Sequence, residues 1–241
     1  MITTAPELIY MLKVNIGIAL FYAFYKLFCC RDTFFQWRRI ALLSFLALSF
    51  LYPLMDMQAW VKEQPAINEL ADYYTLMMLT ETNTSTATVV TTPVAIPTPG
   101  LLDIIKFIYW IGILLLSARF MIQLSSIFHL VLKSKSINVD QISIRSLSEP
   151  ANPFSFWQWI FVYLPELKED EKQEILTHEQ THVRQWHSID VIISEIVNII
   201  CWMNPFAWLM KTEIRLNLEY LADHKVCLLY TSPSPRDTER S

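Results

Sequence analysis

Apolar positions in this chain come first as long runs and only later as periods. Residues 8–28 make the first run, with Lys13 in its interior; residues 40–55 make the second and residues 101–124 the third. As helices, runs of this length match the hydrocarbon core of a bilayer, about 30 Å thick, and the shorter second run spans if it tilts little. A lysine inside such a run can snorkel or face another helix. Residues 137–165 change character. Ile142-Ser143-Ile144-Arg145 alternates, Glu149-Pro150-Ala151-Asn152-Pro153 is rich in turn formers, and residues 156–163 are aromatic and β-prone, which predicts a small hairpin. Next, Pro165-Glu166-Leu167 opens a charged run that leads without Gly or Pro into Ile175 and Leu176, as an amphipathic helix with an acidic first turn should. A fourth apolar stretch, 189–210, is divided by Asn204-Pro205, a pair that disfavours helix at 204 and removes a donor at 205.

Charge orients these runs. Lys26, Arg31, Arg38 and Arg39 stand against Asp32 between the first two, which by the positive-inside rule puts that loop in the cytoplasm and the N-terminus outside. Residues 56–100, with Asp56, Glu63, Glu69, Asp72 and Glu81 against Lys62, then form an acidic extracytoplasmic loop ending in a Thr/Pro-rich linker. The third run returns the chain to Arg119, Lys133 and Lys135 on the cytoplasmic side. Composition agrees: 53% of the 241 residues are hydrophobic, only 3 are Gly, and mean hydropathy is +0.31, which is a membrane protein's balance. No basic region precedes the first run, so it is not a cleaved signal peptide. A net charge of −4 argues against direct nucleic-acid binding. The 4 cysteines suggest neither a disulfide framework nor a cysteine metal site.

The chemistry lies in His178-Glu179-Gln180-Thr181-His182. On a helix the two imidazoles stand one turn apart on one face, where both reach one Zn2+ ion, and Glu179 sits beside them as a general base. His187 fits poorly as a third ligand, because the extended metzincin pattern wants Gly at 185 and His at 188, where this chain has Gln185 and Ser188. Glu219 and Asp223, one turn apart on a later helix, offer one carboxylate to the metal and another to orient a ligand histidine. Chemistry also forbids 189–210 from crossing the bilayer, since that would separate His178 and His182 from Glu219; a re-entrant hairpin is expected instead.

His178-Glu179-x-x-His182, Trp202-x-Asn204-Pro205-Phe206-x-Trp208 and Arg215-x-x-x-Glu219-x-x-Ala222-Asp223 together resemble the BlaR/MecR-type antibiotic-sensor metallopeptidases of the gluzincin class. The resemblance covers residues 1–226 and is most specific over 150–226. It implies a predominantly α-helical polytopic protein of the bacterial cytoplasmic (inner) membrane, with a cytoplasmic gluzincin-like α+β zinc-peptidase domain that contains the small β-hairpin. It also implies that His178, His182 and Glu219 bind zinc, that Glu179 is the base, and that Asp223 is an auxiliary group. The segment Pro153-Phe154-Ser155-Phe156 resembles the stretch before the family's zinc helix, so substrate contact is expected at Phe156, Trp157 and Ile160.

The organisation expected is two transmembrane helices with a basic loop (1–55), the extracytoplasmic loop (56–100), a third transmembrane helix (101–124) and a cytoplasmic peptidase domain (125–226) holding the hairpin 189–210. Residues 227–241 read like a translated sequencing adapter, with the gene product expected to continue past Val226 into a further span and an extracytoplasmic domain. The family role would be cleavage, or triggering of cleavage, of a cytoplasmic winged-helix repressor when an outside signal such as a β-lactam arrives. Partners are then a protein substrate and the lipid bilayer, with monomer or homodimer left open. Two other readings stay open at this point, a quality-control or CAAX-type membrane zinc peptidase and a non-catalytic receptor scaffold. Inducer, substrate and scissile bond are not legible.

Overall fold

The computed structural model describes residues 6–29, 33–55, 100–139, 142–147, 150–163 and 169–231. Residues 56–99 of the acidic loop expected at 56–100, and the last ten residues of the expected adapter segment, 232–241, lie outside them. Helix α1 (Pro6–Phe24) ends in a π-helical turn, Tyr25–Cys29; α2 (Phe35–Leu51) ends in a 3₁₀ turn, Tyr52–Leu54. Helix α3 (Leu101–Lys133) is followed by strands β1 (Lys135–Val139), β2 (Ile142–Ser146), β3 (Phe154–Phe156) and β4 (Trp159–Val162), and then by α4 (Glu169–Arg184), α5 (His187–Ile200) and α6 (Pro205–Thr231). Among the described residues, three helical stretches are long and apolar enough to cross a membrane: Glu7–Cys29, Phe35–Leu54 and Asp103–Lys133.

The third of these does not stop at Leu124. Between 101 and 133 there is no proline and a single glycine, Gly112, so nothing breaks the helix before Lys133. Its start is fixed by the Asp103 carboxylate, which accepts the Gly100 backbone N–H at 3.1 Å. Helix α6 likewise continues through Val226 to Thr231.

The main core lies where α1, α2 and α6 meet. Val14, Ile18 and Tyr25 pack with Leu42 and Leu46 and with Met210, Ile214, Leu218 and Leu221, all buried. On α6 these residues recur every three or four positions and so form one stripe, while Arg215, Glu219 and Asp223, at four-residue spacing, occupy another. That geometry lets one helix serve the two membrane-length helices and the chemistry together. Polar cross-links bind the same three elements. The Arg38 guanidinium donates to the Tyr25 hydroxyl at 2.6 Å, Tyr25 donates to Glu213 at 3.2 Å, and Lys26 pairs with Glu213 at 2.6 Å.

Helix α5 ends in a turn at 201–204. Asn204 is the N-cap of α6: its side-chain oxygen accepts the Phe206 N–H at 3.0 Å, and Pro205 takes the first helical position, where its missing N–H costs nothing. The Asn204 amide also donates to the Asn15 carbonyl of α1 at 3.1 Å, which seats the tip of the α5–α6 hairpin against the middle of a membrane-length helix.

The sheet differs from the expected hairpin. Its order is β1-β2-β4-β3; β1 and β2 are antiparallel, and so are β3 and β4, but β2 and β4 run parallel. The alternating segment at 142–146 and the aromatic one at 159–162 are thus neighbours without being two arms of one hairpin. The tight turn falls at Trp157-Gln158, inside the stretch expected to be a single strand. Trp157 adopts φ 57°, a left-handed conformation that bulky residues seldom take. No Gly or Asn advertises that turn.

Candidate metal centre

Helix α4 carries His178 and His182, and both rings project towards α6. Their Nε2 atoms lie 3.2 Å apart. Glu219 Oε2 is 3.3 Å from His178 Nε2 and 3.7 Å from His182 Nε2, so the three donor atoms converge on one point. The other ring nitrogen of each histidine is committed elsewhere. His178 Nδ1 lies 3.1 Å from Asp223 Oδ1 and donates to it. His182 Nδ1 lies 2.8 Å from Nδ1 of His187, a residue only 2% exposed.

Two imidazole lone pairs facing each other at this distance repel unless a cation or a proton lies between them. Two neutral imidazoles and a carboxylate are the donor set that zinc-type ions accept, so the residues fit a metal ion. Without a metal, protons take up the strain. His178 is held above the ordinary imidazole value chiefly by its hydrogen bond to Glu219, and Glu219 is held far below the usual carboxylate range chiefly by that same bond from His178. His187 moves the other way, pushed down to about 3 mainly by burial and then by the neighbouring His182, so it is neutral.

Glu179 is 8% exposed and lines the same cleft. That cleft, about 390 Å³, runs between β3 and helices α4 to α6, with Phe154, Ser155 and Phe156 on one wall and Arg215 and Glu219 on the other. A second hollow of about 510 Å³ adjoins it at Pro153, His178 and Glu179 and continues past Ile175 and Asp223. The depression therefore extends on both sides of the histidines. Among the described residues β3 is an edge strand, with β4 as its partner, and its three residues border the cleft.

Of the three residues expected to touch substrate, only Phe156 lines this cleft. Ile160 corrects the expectation: it is completely buried, packed on Val183 and Leu176, because on β4 it faces the zinc-motif helix and supports the sheet from behind. Trp157 stands in the turn, its backbone N–H donated to Ser188 Oγ at 2.8 Å and its ring in edge-to-face contact with Trp186 at 5.1 Å. Trp186 too has φ 57° and makes the corner between α4 and α5. Its ring contact and the Ser188 bond tie the β3–β4 turn to that corner. Sequence reasoning passed over Arg215 as a cleft residue, and over Ser188. Arg215 was signalled by its place one turn before Glu219; Ser188 carried no signal.

Compared with known proteins, residues 14–233 match the model of a family described as BlaR1 peptidase M56. No curated protein matches the chain.

Proposed function

Since this chain belongs to the BlaR1 peptidase M56 family, we propose that it is a membrane-embedded zinc-dependent endopeptidase that relays an extracytoplasmic signal by proteolysis. The observation that carries this reading is the convergence of His178 Nε2, His182 Nε2 and Glu219 Oε2 next to Glu179, in a cleft bordered by the edge strand β3. His178, His182 and Glu219 would hold the ion. When bound, the ion supplies a Lewis acid for the peptide carbonyl and makes water easier to deprotonate. Glu179 accepts the proton of the attacking water and hands it to the leaving amine nitrogen. Asp223 holds the His178 ring by its Nδ1–H, and the β3 edge offers main-chain hydrogen bonds to an extended substrate, so that one peptide bond lies across the histidines. A cleft that continues on both sides of the site suits cleavage within a chain better than removal of a terminal residue.

By family resemblance the substrate is a cytoplasmic repressor, and the inducer an extracytoplasmic molecule such as a β-lactam. The catalytic side then faces the cytoplasm, with α5 and α6 forming a re-entrant hairpin. The test is Glu179→Gln, which should keep about one zinc per chain and lose proteolysis, since amide for carboxylate preserves shape and removes the base. His182→Ala should lose both. Full activity in the first variant, or retained zinc in the second, would overturn the assignment. Topology is tested with single cysteines at Arg184 and Lys225, both exposed, in a chain whose native cysteines have been replaced. A membrane-impermeant thiol reagent should label neither in intact cells.

A further inference from the structure

His182 is oriented differently from His178. Behind His178 stands a carboxylate on α6, half open to solvent. Behind His182 stands the buried imidazole of His187, whose far nitrogen Nε2 lies 3.3 Å from Gln185 Oε1. That same oxygen accepts the amide of Gln36, on the first turn of α2, at 3.1 Å. Arg39, one turn further along α2, donates to the Gln185 backbone carbonyl at 2.8 Å and to Asp190 at 2.6 Å.

The direction of this chain of hydrogen bonds is set at the metal end. To bind an ion, His182 must leave Nε2 bare, aimed at His178 and Glu219, so its proton sits on Nδ1 and is donated to His187 Nδ1. His187 then carries its own proton on Nε2 and donates it to Gln185 Oε1, the oxygen that also accepts the Gln36 amide. Run in reverse, with both amides turned round, the chain would place a proton on His182 Nε2, where a metal ion should be.

We infer that His187, Gln185 and Gln36 are positioning residues of the metal centre, which fix the tautomer and ring plane of His182 and make the membrane helix α2 a structural part of the site. The inference rests on the peptidase reading for the identity of His182 as a ligand. It goes beyond that reading in naming what holds the ligand, and in placing part of that support on another helix 149 positions away in sequence.

The experiment measures zinc affinity of the detergent-solubilised full chain by chelator competition, together with the imidazole ¹⁵N shifts of His182. His187→Leu should weaken zinc binding by about 10- to 100-fold, the usual cost of removing a group that orients a ligand. His187→Asn, whose oxygen can replace Nδ1 as acceptor, should recover most of that loss. Gln36→Glu is the variant that keeps the inference testable if position 187 proves necessary for folding, because Gln36 is exposed and the change is isosteric. A carboxylate there repels Gln185 Oε1, turns its amide round and favours the wrong tautomer of His182. Zinc affinity should fall about tenfold with an unchanged thermal midpoint. Wild-type affinity in both His187→Leu and Gln36→Glu overturns the inference, as does a His182 ring protonated at Nε2 in the metal-free wild type. A wild-type chain that takes up no zinc overturns the peptidase reading instead, and the ¹⁵N shifts still report on the hydrogen-bond chain.

Discussion

Helices α2 and α3 are both long and apolar enough to cross a bilayer, yet α2 is built into the molecule and α3 is only tethered to it. Leu42, Leu46 and Ser49 of α2 are buried, and the backbone carbonyl of Phe35 at its start accepts the Asn217 amide of α6 at 3.0 Å. The apolar window of α3 is 0% buried. Its ties are few among the described residues: the Tyr109 hydroxyl donates to the Ile200 carbonyl at 2.6 Å, Trp202 sits against Gly112, and Arg145 of the sheet reaches the Val131 carbonyl at 2.6 Å. Hydropathy cannot tell these helices apart. What separates them is the polar residues of α2 that meet a specific partner, Gln36, Arg38 and Arg39.

The comparison can be broken most sharply at the charges. Arg39→Met leaves Asp190, 3% exposed, without its cation, and should cost about 3–5 kcal/mol of stability in a thermal or denaturant melt. Arg119→Met on the exposed side of α3 should stay within about 0.5 kcal/mol. Equal effects would mean that α2 is no better anchored than α3. Packing gives the next largest contrast: Leu46→Ala, at a site 3% exposed, should cost about 2–4 kcal/mol, against about 0.5 kcal/mol or less for Leu114→Ala at 67% exposure. A smaller effect tests the tether of α3 itself. A methyl at Gly112 would lie 2.4 Å from the Trp202 ring, so Gly112→Ala should cost about 1–3 kcal/mol as the indole is displaced. Smallest is Tyr109→Phe, which removes one hydrogen bond and should lower stability by about 1 kcal/mol in the same melt. If neither change at α3 shifts the melting midpoint, that helix is independent of the hairpin tip.

Local signals in the sequence carried much of this architecture. The four-residue spacing of His178 and His182 is a statement about helix geometry, and the helix delivers it; Asn204-Pro205 marks the turn between α5 and α6 because a cap and a missing donor act within one turn. Glu219 was legible from its one-turn spacing to Asp223 only as a weak signal, since an acidic pair on a helix is ordinarily just a solvated face, and the zinc motif and the resemblance gave it weight. Pairings between distant segments were not legible. The alternation at 142–146 reveals a strand but cannot say that its neighbour is parallel, and the turn at Trp157 falls where no turn-forming residue stands. His187 was weighed as a third ligand and set aside. Its place behind His182 depends on the corner at Trp186 and on α2, and no spacing within the motif encodes either.

The two tryptophans with left-handed backbones have a consequence for how this sequence can change. The whole chain has only 3 glycines, and none stands at 157 or 186, where the backbone would favour one. Replacing either tryptophan with glycine relieves local strain but removes an indole that the other uses as its edge-to-face partner. After the first replacement the contact is already gone, so the second relieves strain and forfeits no pair. The same substitution is thus less favourable in one genetic background than in the other, by the worth of the ring contact, about 0.5–1.5 kcal/mol, so the two positions are coupled.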